Sequence, residues 1–507
     1  MIQEQQELIA DPTASAPSRL PSRIAPILRV AIIGAAGVAM FYSLGERLLK
    51  TWDESIYAEV AREMLVRHSW LTPTWNFQPW LEKPPLLMWL TAIVFRIFGV
   101  SEFSARWVGA ACGVTTVWLT FEIGRRLMDD WGGLVAALIL LTNGYFIYVG
   151  RFGAIDVPLT LCFTLLAFAY VRVRQGNARW WYAIGAAIGL ATMFKGVASV
   201  AAILSLCAAL LLDRRTITIR AREVRHAALT AFAIALPWHM AMLALHGRVF
   251  LQEYLGYHVL ARMQGLPGTE QPVYVYLFAY VFDFAPFALA ALAGLFLYRK
   301  GNGNTSIVVS TVVVVTAIYS SLGTRLIAYA TPAFPFISLL AALALRKVCK
   351  NTALLIACAL LFPLYWFAER GFIALDYGPA LSIEGSINSK DESLFHLLTQ
   401  ARPEKEDRGP APLITCLDGF ILEKQQSVFY GNRPLIQAFL IDPVRPARSL
   451  QEERYEALTP LKLAVGSRPS LIITREDLYP EIVYSERYNF RMLAQDGPLL
   501  LGEISQR

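Results

Sequence analysis

Long apolar runs separated by short charged loops dominate residues 26–369, without the alternation that marks a half-buried sheet. Runs near 26–44, 106–124, 132–149, 156–173, 180–194, 197–212, 226–246, 273–298, 306–322, 326–345 and 352–369 approach the roughly 20 residues of a membrane-crossing helix. Eleven spans are therefore predicted. A further stretch, 84–98, is short and opens on Pro84-Pro85, and counting it would invert every later loop. It is predicted to lie along the membrane surface. The run from Ile27 follows a polar, Pro/Ser-rich tail and starts late for a cleaved leader, so it reads as an uncleaved first span.

Loop charge gives these spans a direction. With Arg19, Arg23 and Arg29 holding the N-terminus inside, Arg125/Arg126, Arg172/Arg174/Arg179, Arg214 through Arg225, Arg299/Lys300 and Arg346/Lys347/Lys350 all fall on that same side. An odd number of spans leaves residues 370–507 outside, where β-patterned segments such as Pro412–Cys416 and Ser470–Thr474 point to a small α/β domain. The predicted architecture is an all-α polytopic membrane bundle. It has a cytoplasmic tail (1–25), a transmembrane domain (26–369) and an extracytoplasmic α/β domain (370–507), set in the inner, cytoplasmic membrane.

Composition agrees. Hydrophobic residues make up 55% and charged residues 17% of the 507, which excludes a soluble enzyme, a fibrous chain and a disordered one. The formal charge of +7 follows from the basic loops and gives no reason to expect a nucleic-acid partner. Cys112, Cys162, Cys207 and Cys358 lie in apolar runs and no CxxC spacing occurs, so the cysteines form neither a disulfide framework nor a metal site.

The predicted outer loops carry more chemistry than packing requires. The first holds Asp53, Glu54, Tyr57, Glu59, Arg62 and Glu63, then Glu82-Lys83-Pro84-Pro85. A carboxylate at a membrane boundary suits a general base, yet Asp53 precedes a helical pattern (Ile56, Val60, Met64) and equally suits a cap. Asp156, with Pro158 in the first turn of a span, has the same two readings. Lys195, between two apolar runs, is costly without an anion, and Arg325 repeats that argument. A long loop at 247–272 contributes His258 and Arg262, and Tyr329 stands at the next boundary. Lys83, Lys195, Arg262 and Arg325 suit a lipid-linked phosphate, and Asp53, Glu82 and Asp156 suit proton handling, which points to a transferase. The span centres read as free of acids and bases, against an ion-coupled transporter. A lipid-carrier flippase would share the cations but not need the acids.

Trp-Asp-Glu-x-x-Tyr-Ala-Glu-x-Ala-Arg-Glu-Met at 52–64, Glu-Lys-Pro-Pro-Leu-Leu-x-Trp-Leu at 82–90, Gly-Val-Ser-Glu-Phe-Ser-Ala-Arg at 99–106, Asp-Val-Pro-Leu-Thr at 156–160 and Phe-Lys-Gly at 194–196 resemble the GT-C membrane glycosyltransferases. Within that fold the chain is similar to the aminoarabinose (lipid A) transferase branch of the protein-mannosyltransferase-like family, over roughly residues 25–350. The resemblance implies inverting transfer of a sugar from a polyprenyl-phosphate carrier to a lipid, glycan or protein acceptor on the outer side. It implies Asp53, Glu54 and Asp156 as catalytic acids, and Lys83, Lys195, Arg262, Arg325, Tyr329 and Tyr57 around the donor phosphate. Glu82 and His258 match positions that can meet over a divalent ion, zinc or magnesium, although neutralisation by the cations alone requires no metal. The chain departs from the branch at Ile56, where an arginine is usual, and at Arg325, where a lysine is usual.

Overall fold

The computed structural model describes residues 24–46, 48–49, 53–265, 271–298, 305–349, 351, 356, 396–398, 400, 413–416, 435–439, 458–465, 470–475, 478, 482, 487–497 and 499–507. The N-terminal tail, Trp52 and nearly all of the span predicted at 352–369 lie outside the described residues, as do the side chains of His258 and Arg262.

The predicted runs appear as helices. They are α1 (Ile24–Phe41), α4 (Glu102–Leu127), α5 (Asp130–Leu141), α6 (Gly144–Gly150), α7 (Asp156–Arg174), α8 (Trp180–Lys195), α9 (Ser199–Leu212) and α10 (Ala221–Leu251). After a π-helical segment, Gln252–Ala261, and the short α11 (Arg262–Gln264) come α12 (Val275–Asp283), α13 (Phe287–Tyr298) and α14 (Ser306–Ser321). A 3₁₀ turn, Ile327–Ala333, leads into α15 (Phe334–Val348). Local chemistry starts several of these. Ser101 accepts a hydrogen bond from the Ser104 N–H and opens α4, Asp129 accepts from the Gly132 N–H and opens α5, and Asn143 accepts from the Phe146 N–H and opens α6.

Among the described residues, Asp156–Arg174, Trp180–Leu212, Ala221–Gly256 and Ile327–Val348 are long and apolar enough to cross a membrane. Trp180–Leu212 folds back on itself at Gly196. Lys195 meets Asp156 at the start of α7, whereas the Ala209 carbonyl accepts from the Tyr170 hydroxyl near the end of α7, so α8 and α9 run antiparallel. The turn at Gly196 separates the two spans predicted at 180–194 and 197–212, whereas two predicted single spans are broken: α5 and α6 meet at 71°, and α12 and α13 at 114°. The second break falls at Asp283, so the reading of span centres without ionisable groups fails there: the helix opens around that acid instead of passing it through hydrocarbon.

Residues 53–98 form the cap at one end of this bundle. Helix α2 (Asp53–Arg67) is almost wholly buried despite its charges, the hairpin β1 (Thr74–Trp75) to β2 (Gln78–Pro79) packs on it, and α3 (Leu86–Phe98) follows Pro84-Pro85. At 13 residues α3 is about 20 Å long, too short for a hydrocarbon core of about 30 Å, and it leaves Ile93, Ile97 and Phe98 exposed as a surface-lying helix does. Among the described residues, Arg125, Arg174 and Arg346 of the basic groups predicted to share one side are held in ion pairs at the other end of the bundle. Arg346 pairs with Asp129 at 2.7 Å, Arg125 with Asp130 at 3.0 Å and Arg174 with Asp213 at 3.6 Å. Near the C-terminus a six-stranded mixed sheet contains β3 (Leu413–Cys416), β4 (Leu435–Phe439), β5 (Leu458–Pro460), β6 (Ser470–Arg475), β7 (Tyr488–Asp496) and β8 (Leu499–Gln506). Its order is β5-β4-β3-β6-β8-β7, the first four strands parallel and the last two antiparallel.

Helices α8 and α10 touch backbone to backbone, because a Cβ at Gly185 would collide with the backbone of Ala227. Gly185→Leu is expected to lower stability by about 1–3 kcal/mol through overpacking, read as a fall in melting temperature in detergent. Gly37→Ala, where a Cβ meets nothing within 4 Å, is the control expected to leave it unchanged.

Candidate active site

The site begins at the N-terminus of α2, where two adjacent acids have different surroundings. Glu54 is fully buried: its carboxylate accepts from Arg106 at 2.8 and 3.1 Å and from the Gly153 N–H at 2.9 Å. Arg106 also donates to the carbonyls of Leu44 and Leu48, at 3.1 and 2.9 Å. One buried ion pair thus joins α2, α4, the end of α1 and the loop that leads into α7. Asp53 is 48% exposed and accepts from Lys83 Nζ at 3.2 Å, while Lys83 itself is only 10% exposed. The ammonium also donates to the Tyr57 hydroxyl and lies 4.8 Å from the centre of that ring. The turn imposed by Pro84-Pro85 carries Lys83 to this position, with Glu82 buried beside it.

A second acid and cation meet nearby. Asp156 is the first residue of α7, three positions beyond Gly153, and accepts from Lys195 Nζ at 2.7 Å. Lys195 is the last residue of α8, and its ammonium lies 4.3 Å from the centre of the Tyr329 ring, which packs 5.4 Å from that of Tyr319. The next residue, Gly196, has φ 49°, and a side chain there would strike the Tyr254 hydroxyl, so glycine both reverses the chain and admits the π-helical segment against Lys195. Tyr254 meets His239 Nε2 at 3.1 Å.

Arg325 is tied to carbonyls, donating to Ser320 at 3.1 Å and Gln271 at 2.6 Å. The neighbouring Gly323 N–H donates to the Met263 carbonyl at 3.0 Å, so the backbone of α11, which carries Arg262, lies beside the Arg325 loop. Deeper, Tyr276 is fully buried with its hydroxyl unpartnered, and Tyr280 accepts from Thr316 at 3.2 Å. Of the residues singled out in the sequence, Asp53, Tyr57 and Lys83 form one group and Asp156, Lys195 and Tyr329 another. Glu54 links the two. Among the described residues no three His, Cys, Asp or Glu side chains converge, and the side chain of His258, expected to meet Glu82 over a divalent ion, lies outside them.

The role of Arg106, the buried Tyr276, Tyr280 and Tyr319, and the pairing of the charges on α2 escaped the sequence reading. In that cluster Glu59 takes both arms of Arg62 at 2.7 and 2.6 Å, and Glu63 accepts the Phe77 N–H at 3.0 Å, holding the hairpin onto α2. Burial, reinforced by the charge of Glu59, pushes the Glu63 carboxyl up to about 8. The only sequence signal was the density of acids in Glu59-Val-Ala-Arg-Glu63.

With that geometry in hand, three comparisons bear on ancestry. The profile of the Dolichyl-phosphate-mannose-protein mannosyltransferase family matches residues 82–240. An uncharacterized protein of Aquifex aeolicus is 27% identical over 63% of this chain and 64% of its own length. An undecaprenyl phosphate-alpha-4-amino-4-deoxy-L-arabinose arabinosyl transferase of Pseudomonas savastanoi is 28% identical over 42% of this chain, and the match spans 40% of that relative's length. Among solved structures, ArnT from Cupriavidus metallidurans bound to undecaprenyl phosphate superposes with a TM-score of 0.72 at 18% identity, covering 95% of this chain and 98% of its own. The oligosaccharyltransferase of Archaeoglobus fulgidus superposes at 0.58 and 12% identity, over 93% and 73%. These likenesses carry the fold.

Two variants test the framework of the site. Arg106→Ala, which strands a buried carboxylate, is expected to cost about 3–5 kcal/mol, read by thermal unfolding, and Glu54→Gln less, since the amide still accepts one bond. Glu63 keeps its proton in the folded protein above pH 4.5, where the unfolded chain releases it, so stability is expected to fall as pH rises from about 4.5 to about 8. Glu63→Gln should flatten that part of a melting-temperature profile.

Proposed function

We propose that the chain, which shares its fold with ArnT, is a GT-C transferase near the aminoarabinose transferase branch and moves a sugar from a polyprenyl-phosphate carrier to an acceptor in the cell envelope. The observation that carries this reading is the pairing of Asp53 with Lys83 and of Asp156 with Lys195, joined through Glu54. Each acid is held by a cation that an incoming phosphate can take over. Lys83 and Lys195 then neutralise the phosphate as it leaves the anomeric carbon, with Arg262 and Arg325 completing the cradle. Asp53, freed and partly exposed, accepts the proton of an acceptor hydroxyl that attacks from the opposite face, so the anomeric configuration inverts. The rings of Tyr319 and Tyr329 offer a face for the sugar, and Tyr276 a free hydroxyl.

Undecaprenyl phosphate and aminoarabinose are named for relatives and neighbours, and they supply the first donors to try. At position 56 the chain has a buried isoleucine in place of the branch's arginine, which favours an acceptor less anionic than lipid A. In this reading the Asp53 end faces the extracytoplasmic side of the inner membrane, with the N-terminus inside and the strand-rich C-terminal part outside.

The test is release of free polyprenyl phosphate from a panel of carrier-linked sugars by the purified protein in nanodiscs. Asp53→Asn is expected to cut turnover by about 10²–10⁴-fold with the fold intact; wild-type turnover in that variant would remove Asp53 as the base, and no release from any donor by the folded wild type would favour a carrier flippase. Lys83→Ala and Lys195→Met are expected to raise KM for the donor more than about tenfold, the loss of one charge-assisted contact. An unchanged KM in both would remove the phosphate cradle.

A further inference from the structure

We propose that the opposite end of the bundle binds the phosphodiester headgroup of an anionic membrane lipid, held by Arg126 and Arg172 against the rings of Phe168 and Trp180. Along α7, Phe168 and Arg172 lie about 18–24 Å beyond Asp156, so this place is well separated from the acid–cation pairs and takes no part in their chemistry.

Two arginines face one aromatic corner there. Phe168 and Trp180 meet edge to face at 5.1 Å, Arg126 lies 4.8 Å from the centre of Phe168, and Arg172 lies 5.5 Å from that of Trp180. The corner joins the end of α4, the end of α7 and the start of α8.

The local charge does not balance. Glu122 alone serves Arg29 at 2.6 Å, Arg125 at 3.4 Å and Arg126. Asp130 takes a second contact from Arg125, and Asp213 faces Arg174 while also accepting the Tyr170 and Ser306 hydroxyls. Among the described residues Arg29, Arg125, Arg126 and Arg174 thus share three carboxylates, and Arg172 pairs with none. Arg126 is repelled by both Arg125 and Arg172. Arg172 spends one arm on Gln175 at 3.2 Å, and its Nε–H is buried without a partner.

A buried donor without an acceptor and two guanidinium groups in mutual repulsion call for an anion with several oxygens. A phosphodiester on a membrane lipid meets both needs, because the corner sits at the ends of α4 and α7 and the start of α8 beside the partly exposed Trp180, a residue type that suits headgroup level, where acyl chains can follow the helices.

The full-length protein in nanodiscs of phosphatidylcholine, with or without phosphatidylglycerol, tests this by melting temperature and by lipid retained in native mass spectrometry. Wild type is expected to retain phosphatidylglycerol about thirtyfold more tightly than phosphatidylcholine, the worth of two arginine contacts. The double variant Arg126→Gln/Arg172→Gln should lose that preference while melting normally in phosphatidylcholine, and Arg172→Lys, which keeps charge but not the fork, should fall between. Equal retention of both lipids by wild type overturns the site without recourse to any variant. Inorganic phosphate that raises the melting temperature in phosphatidylcholine discs as much as phosphatidylglycerol does overturns the lipid assignment, and a double variant that keeps the preference overturns the two arginines as its source.

Discussion

The geometry of the site depends on one buried ion pair. A carboxyl with no exposure must have its hydrogen bonds met inside the protein, and Glu54 has them met by Arg106 and the Gly153 N–H. Arg106 spends its remaining donors on the carbonyls of Leu44 and Leu48. Four chain segments distant in sequence are fixed by this knot: the exit of α1, the start of α2, the first turns of α4 and the loop before α7. Replacing the pair with apolar groups could pack as well, but it would not fix α2 relative to the start of α7. That relation places Asp53 and Asp156 at the same end of the bundle.

What the knot positions is a pair of acid–cation contacts of unequal exposure. Lys83 is nearly buried while its partner Asp53 is half open, so the anion can be reached from outside while the cation is held by the Tyr57 ring. At the other contact both partners are largely enclosed, with Tyr329 against Lys195. In the proposed reaction a phosphate entering between them would gain two ammonium groups in a low-dielectric setting, where each contact is worth more than in water.

Much of this was legible in the sequence, because a membrane imposes simple rules. Span length, loop arginines and the Pro84-Pro85 break located most helices, the surface-lying α3 and the basic end. Asp53, Lys83, Asp156 and Lys195 stood out as charges beside apolar runs. Spacing could not tell Asp53 from Glu54, since the difference between an open acid and a structural one lies in Arg106, 52 residues away. The same holds for Glu63, whose burial comes from a hairpin ten residues on, and for the broken helix at Asp283, where apolar periodicity runs straight through the bend. Tyr276, Tyr280 and Tyr319 escaped, unlike Tyr57 and Tyr329, because aromatic residues in a span read as lipid-facing or core filler until their partners are known.

The described residues thus place the acid–cation pairs and aromatic rings at one end of the bundle, a dense arginine cluster at the other, and apolar helices between. The most direct measurement of the central claim is an experimental structure of the protein with undecaprenyl phosphate bound. The account predicts phosphate oxygens within about 3 Å of both Lys83 Nζ and Lys195 Nζ, with the contacts of these lysines to Asp53 and Asp156 lengthened. A phosphate bound away from both lysines, with the two ion pairs unchanged, would contradict it.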